Sequence, residues 1–212
     1  GTYRIEPFLL SQGVRKLEYV FVTHGDADHI NGIQELLQNQ KQGVEIDALV
    51  LPPEEYMDEK LLHLAEIAKE NGTRVLTIYA GEKVGTYLKC IAPLTTRKNE
   101  RIRGKEEEVP RLEAGNEASV VLELKDGAFQ MLLTGDLEGR GEEQLVESGA
   151  LESCPILKAG HHGSKNSGSE EFLQIVKPRL TLISAGIENR YGHPHEETLE
   201  RLQEIGSEVL ST

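Results

Sequence analysis

No stretch of this chain approaches the roughly 20 consecutive apolar residues that a membrane-spanning helix needs, and its apolar fraction is a modest 38%. Nor does it open with a basic segment followed by an apolar one, so no secretory signal is readable. Cysteine is nearly absent. Cys90 and Cys154 stand far apart in strand-like, apolar surroundings, which suits buried thiols better than a disulfide or thiolate ligands. Positive charge is also short, 23 Lys and Arg against 36 Asp and Glu, a net −13. That balance excludes a general nucleic-acid coat. It leaves room for a local phosphate site, because bound cations invert the field around them. The chain starts at Gly1-Thr2-Tyr3 rather than at Met and reads as a piece of a longer protein. Its 212 residues are expected to form a single domain over 1–212.

Strand-like and helix-like runs alternate along the chain, which predicts an α/β fold. Residues 17–22, 46–51, 74–79 and 85–92 read as strands in the first half. Residues 54–71 read as one helix, with Leu61, Leu64, Ala65 and Ala68 spaced for an apolar face and Gly72 as a stop. In the second half, 118–124 and 129–133 flank an Asp126-Gly127 turn, a hairpin signal. Residues 155–159, 180–184 and 207–210 are further strands, and 138–148, 170–176 and 196–205 are helices. One segment breaks the pattern: 97–115 carries six basic and five acidic residues and almost no apolar ones. It is expected to be a solvated, mobile loop, with Arg97, Lys98, Arg101, Arg103 and Lys105 as an alternative binding set.

Six of the seven histidines fall in short polar clusters that follow strand-like runs; only His63 lies elsewhere, within a helix. In Thr23-His24-Gly25-Asp26-Ala27-Asp28-His29, four side chains able to ligate a metal are packed into one turn. Mixed imidazole and carboxylate donors suit borderline metals such as zinc and manganese, and a purely structural turn has no use for two histidines beside two aspartates. Leu132-Leu133-Thr134-Gly135-Asp136 sets one carboxylate at the end of an apolar strand. Lys158-Ala159-Gly160-His161-His162-Gly163-Ser164-Lys165 joins two histidines to a loop whose N–H groups, hydroxyl and ammonium could face a phosphate. Tyr191-Gly192-His193-Pro194-His195 completes the set, with His195 read as a helix N-terminal residue.

The run His24-Gly-Asp26-Ala-Asp28-His29 resembles the His-x-His-x-Asp-His signature of the metallo-β-lactamase superfamily, with Asp26 in place of the second histidine. Together with Leu-Lys-Ala-Gly-His161-His162-Gly-Ser, it is similar to the hydrolase domain of the competence protein ComEC and its free-standing relatives. The resemblance implies the αββα sandwich of that superfamily. Its opening strands, which carry a Val-Gly-Gln-Gly-Asp motif, are expected to be missing from the chain. It implies two divalent ions, zinc or manganese, with His24 and Asp26 on one, Asp28 and His29 on the other, and Asp136 bridging. His161 and His162 are both candidate ligands, one of which is expected to reach the metals. The Asp26 carboxylate hardens the first site and brings manganese into competition with zinc. Where many members carry a further histidine, this chain has Asn116-Glu117-Ala118-Ser119, similar to the Asn-x-x-Ser of the ComEC group. Asn116, Ser119, Ser164, Lys165 and His193 are therefore candidate substrate-binding residues, and Asp28, Lys165 and His193 candidate catalytic ones.

Three aspartates against two divalent ions leave a site of about +1, which suits attack on a phosphodiester by a metal-acidified water. The resemblance implies a nuclease-type phosphodiesterase acting on DNA during uptake. It implies a bacterial, extracytoplasmic setting, tethered to a membrane-channel parent. Lys158, Lys165, Lys177, Arg179 and Arg190 are expected near the pocket, suited to a phosphodiester backbone. Hydrolysis of a small phosphoester, lactone or thioester is the alternative open to the fold, and a non-catalytic DNA-binding or docking module is the alternative of another class.

Overall fold

The structure, a computed structural model, describes residues 1–95 and 110–212. The segment expected to be a mobile loop therefore lies outside the described residues over 97–109; Pro110 to Gly115 are described and end in a turn, with Leu112 buried. The chain divides into two compact units, Gly1–Ile78 and Tyr79–Thr212.

The first unit runs α1 (Ile5–Ser11), β1 (Lys16–Phe21), α2 (Ala27–Asn39), β2 (Glu45–Leu51), a 3-10 turn (Glu54–Tyr56), α3 (Glu59–Glu70) and β3 (Arg74–Thr77). Its sheet has the order β1-β2-β3, all parallel. Parallel neighbours need crossover helices, here α2 and α3. Central β2 is buried along nearly its whole length, as a strand covered on both faces should be. Ile30, Leu37, Leu49, Leu61 and Leu64 form the core. The helix expected over 54–71 is interrupted. Asp58 is extended and its carboxylate accepts the Leu61 N–H at 2.8 Å, so the regular helix starts only after this cap. Helix α2 escaped the sequence reading: its apolar spacing, Ile30, Ile33, Leu36 and Leu37, lies behind a first turn made of candidate ligands.

The second unit contains β4 (Lys83–Val84), β5 (Leu88–Ala92), a 3-10 turn (Asn116–Ala118), β6 (Val121–Asp126), β7 (Phe129–Leu133), α4 (Gly139–Ser148) and β8 (Ile156–Lys158). A second 3-10 turn (Gly160–Gly163), α5 (Glu170–Val176), β9 (Leu180–Ile183), α6 (Glu196–Glu204) and β10 (Glu208–Ser211) follow. The sheet order is β10-β9-β8-β7-β6-β5-β4. Strands β4 to β7 pair antiparallel, including the expected Asp126-Gly127 hairpin, and β7 to β10 pair parallel. The expected α/β class is borne out. Both cysteines are buried and free, and burial pushes the Cys90 thiol up to about 12.

Because β7, β8 and β9 run in one direction, the chain leaves all three at the same edge of the sheet. Asp136, His161, His162 and His193 all lie on those exits, the edge at which open α/β sheets carry their ligands. Lys177 and Arg179 precede β9 and so sit at the opposite edge; direction along a parallel strand corrects the expectation that they flank the pocket. The exits are held on a core of Leu132, Leu145, Leu157, Phe172 and Leu173. Phe172→Ala should therefore lower unfolding stability by about 3–5 kcal/mol, read from urea denaturation of the 212-residue chain; a loss below about 1 kcal/mol would contradict this account of the core.

Candidate functional site

In the first unit the cluster forms where β1 gives way to α2. Asp26 is the N-terminal flanking residue of α2, and Asp28 and His29 occupy its first turn, so the cluster is half helix rather than the simple turn expected. Carboxylates gain there from the positive end of the helix. Thr23 Oγ1 stands 3.0 Å from Nδ1 of His24 and 3.3 Å from Nδ1 of His29, gathering two rings whose centroids are 4.2 Å apart. On the other ring nitrogens, His24 Nε2 is 3.6 Å from Asp26 Oδ2 and His29 Nε2 is 3.7 Å from Asp28 Oδ2. A Cβ on Gly25 would meet the Asp58 carboxylate at 2.3 Å, so the side chain that caps α3 would have to shift.

In the second unit three strand exits converge. Asp136 is buried, and its N–H donates to Ser119 Oγ at 3.2 Å. His162 donates Nδ1–H to the Ser184 carbonyl at 2.6 Å, which leaves Nε2 as the ring's lone-pair atom, 3.6 Å from Asp136 Oδ2. His161 turns elsewhere: its Nδ1 meets Glu138 Oε2 at 2.8 Å. Glu138 also accepts from Asn116 Nδ2 at 2.9 Å and from the Ser164 hydroxyl at 3.2 Å. Burial alone would raise the Glu138 carboxyl, but the hydrogen bonds from His161, Asn116 and Ser164 outweigh it and hold it below its ordinary range. His193 packs between its neighbours, with ring centroids 5.0 Å from His161 and 4.7 Å from His195. Burial, then the charges of His161, His195 and His162, depress it, against an opposing pull from Asp136. Lys158 is tied to the Ala159 carbonyl at 2.7 Å, and burial lowers it despite the Asp136 charge.

The loop after the histidine pair is braced from behind. The Glu142 carboxylate accepts the N–H groups of Gly168 and Ser169, both at 2.7 Å. Arg201 donates to the carbonyls of Lys165, Ser167 and Gly168. His195, at the start of α6 as expected, accepts the Lys165 N–H on Nδ1 at 3.1 Å. The exposed Lys165 side chain thus leaves a backbone fixed on both its N–H and its C=O.

The donor chemistry fits divalent metal. Two ligands about 2.1 Å from one ion stand about 3.4–3.6 Å apart at angles between tetrahedral and trigonal. The three Nε2–carboxylate pairs match that separation and are too long for hydrogen bonds. Each ring's Nδ1 is meanwhile occupied by a hydroxyl or carbonyl, as metal-binding histidines require. Among the residues singled out from the sequence, Asn116 and Ser119 stand behind other side chains, on Glu138 and Asp136 respectively. Sequence reasoning missed Thr23, Glu138, Glu142 and Arg201. Only Glu138 carried a signal, a carboxylate two positions beyond the Gly-Asp that ends β7.

The sequence profile of the metallo-beta-lactamase superfamily matches residues 1–187. Over 209 residues the chain is 34% identical to ComE operon protein 3 of Bacillus subtilis (strain 168), covering 97% of this chain and 25% of that protein. It is 32% identical over 209 residues to Competence protein ComA of Neisseria gonorrhoeae, covering 98% and 26%. The chain thus spans about a quarter of the length of these curated relatives. A solved structure, described as a new diphosphatase from the PhnP family, aligns with 96% of this chain and 72% of its own. Its TM-score is 0.43 at 19% identity, too slight a likeness to carry weight.

The brace is open to direct measurement. Glu142→Ala strands two backbone donors in a buried place and should cost about 2–4 kcal/mol of stability. Glu142→Gln, which keeps one acceptor, should cost roughly half as much. Equal unfolding midpoints for all three proteins in urea would show that the carboxylate braces nothing.

Proposed function

The chain belongs to the metallo-β-lactamase superfamily, and we propose that it is a metal-dependent phosphodiesterase of nuclease type. Two divalent ions, zinc or manganese, are assigned to His24, Asp26, Asp28, His29, Asp136 and His162. One observation carries this reading: three imidazole Nε2 atoms each stand 3.6–3.7 Å from an aspartate Oδ2 with Nδ1 already occupied. One relative is named a competence protein, which supports DNA as the substrate; an extracytoplasmic setting and a membrane-tethered parent are proposed with it. No helix among the described residues is itself long and apolar enough to cross a membrane.

When bound, the ions supply positive charge for a phosphate oxygen and acidify a water for attack on phosphorus. The chain's own residues do the rest. Ser119 holds the Asp136 backbone, so the carboxylate does not swing as charge builds beside it. Glu138 keeps the His161 proton on Nδ1 and so fixes both the tautomer and the plane of a ring beside His193. Lys165, on its doubly anchored backbone, neutralises the departing oxyanion. His193, set beside His161 and His162, supplies a proton to the leaving oxygen.

Three variants separate these roles, with bound metal measured by mass spectrometry and turnover by hydrolysis of bis(p-nitrophenyl) phosphate. Asp136→Ala should lose both metal and activity. Lys165→Ala should lower turnover with metal content unchanged; lost metal there would contradict its assignment to the leaving group. Glu138→Ala should reduce activity about 10–100-fold, as removal of an orienting carboxylate does; wild-type turnover would remove Glu138 from the machinery. If the reloaded chain hydrolyses nothing with either ion, the enzyme reading falls.

A further inference from the structure

The exit from β9 carries a feature that the hydrolytic machinery does not use. Tyr191 is 60% exposed, so it is not there to fill a core. Its ring lies 5.8 Å from that of His193 at an interplanar angle of 23°, and His193 lies 6.2 Å from His162 at the same angle. A row of near-parallel rings therefore leads outward from the His162–Asp136 pair. The Arg190 guanidinium caps its outer end, with Cζ 4.6 Å from the Tyr191 centroid and an N–H donated to the Tyr191 hydroxyl. The row is not on a loose loop. Asn189 clamps the turn at both ends, donating to the carbonyls of Gly186 at 2.8 Å and His193 at 2.6 Å and accepting the His193 N–H at 3.0 Å.

A flat aromatic and guanidinium surface beside phosphate-handling imidazoles has a natural occupant. Unpaired bases stack on aromatic rings and on arginine planes, and the neighbouring phosphate is drawn to the same cation. In a duplex the faces of the bases are already stacked on one another. A duplex is instead gripped through a long basic track, which a net charge of −13 disfavours. We propose that Arg190 and Tyr191 form a stacking platform for the base next to the scissile phosphodiester, so that the chain acts on single-stranded rather than duplex nucleic acid. This rests on the phosphodiesterase reading above and narrows its substrate.

The test compares three fluorescein-labelled ligands of equal length by anisotropy: an oligothymidylate, the same backbone with abasic sites, and a duplex. The metal-loaded protein is used, and phosphorothioate linkages in all three ligands suppress cleavage during the reading. Wild type should bind the oligothymidylate most tightly. Tyr191→Ala should weaken that binding about tenfold and leave the abasic strand unchanged, while Tyr191→Phe should bind like wild type. Arg190→Lys keeps the charge but loses the plane, and should weaken the thymidylate more than the abasic strand. Equal losses on thymidylate and abasic strands, or a wild-type preference for duplex, would overturn the platform. In parallel, wild type reloaded with zinc or manganese is assayed on bis(p-nitrophenyl) phosphate. Hydrolysis there with no base-dependent binding sinks the platform alone; no hydrolysis sinks the reading beneath it. Tyr191 and Arg190 are both exposed, so their replacement leaves the fold intact.

Discussion

His161 and His162 both adopt the left-handed backbone conformation, with φ of 39° and 54°. Glycine takes such angles freely, whereas each histidine there costs of order 1–3 kcal/mol. Two in succession persist only because the surroundings over-determine them. The His161 N–H is taken by the Gly135 carbonyl, and the His161 carbonyl by the Ser164 N–H. Glu138 and Ser184 then hold the two rings. A Cβ on Gly160 would meet the Leu137 carbonyl at 2.6 Å, so the turn cannot relax by retreating into the sheet. The consequence is chemical. Successive side chains in this conformation diverge, and a single turn sends one imidazole to the buried aspartate and the other to a glutamate.

Three carboxylates near that turn are stabilised in three different ways, and the difference sorts their roles. Glu142 is answered by two backbone N–H groups and by the Arg201 charge, but burial outweighs them and holds its carboxyl above the ordinary range. Glu138 is answered by the side chains of His161, Asn116 and Ser164. It rigidifies neighbours without itself facing a ligand. Asp136 is buried, and an imidazole nitrogen of His162 stands 3.6 Å from its carboxylate, a separation that fits two ligands of one cation.

Much of this was legible in the sequence, for a reason that also limits it. Ligand sets must be local in the chain when one turn supplies several donors, so the clusters at 24–29, 136 and 161–162 stood out. The strands that carry them stood out as short apolar runs, although β1 and β7 are only partly buried. Helix α2 was hidden because its starting residues, Asp26 and Asp28, were read as ligands, so the apolar spacing behind them was not followed. Glu138 and Asn116 lie 22 positions apart, and Glu142 meets a loop 26 positions away; supporting contacts of that span leave no local spacing to read. The same holds for Ser119. Its position in the Asn-x-x-Ser run was visible, but not that it stands beneath Asp136 rather than on a surface.

The acidic balance of the chain bears on what such a site can bind. A protein that held nucleic acid by charge alone would spread lysine and arginine along its surface, and its affinity would fall steeply with salt. Among the described residues the basic side chains that follow strand exits are few, and the two that precede β9 lie at the opposite edge. On the proposed reading, attraction for a phosphodiester would come from the ions at the candidate ligand clusters, with little reaching beyond a Debye length of about 8 Å at physiological salt. Selection between substrates is left to contacts of short range and defined shape. The parallel rings of His162, His193 and Tyr191, fixed by the Asn189 clamp, are of that kind. A surface of this charge can discriminate by stacking where it cannot discriminate by attraction.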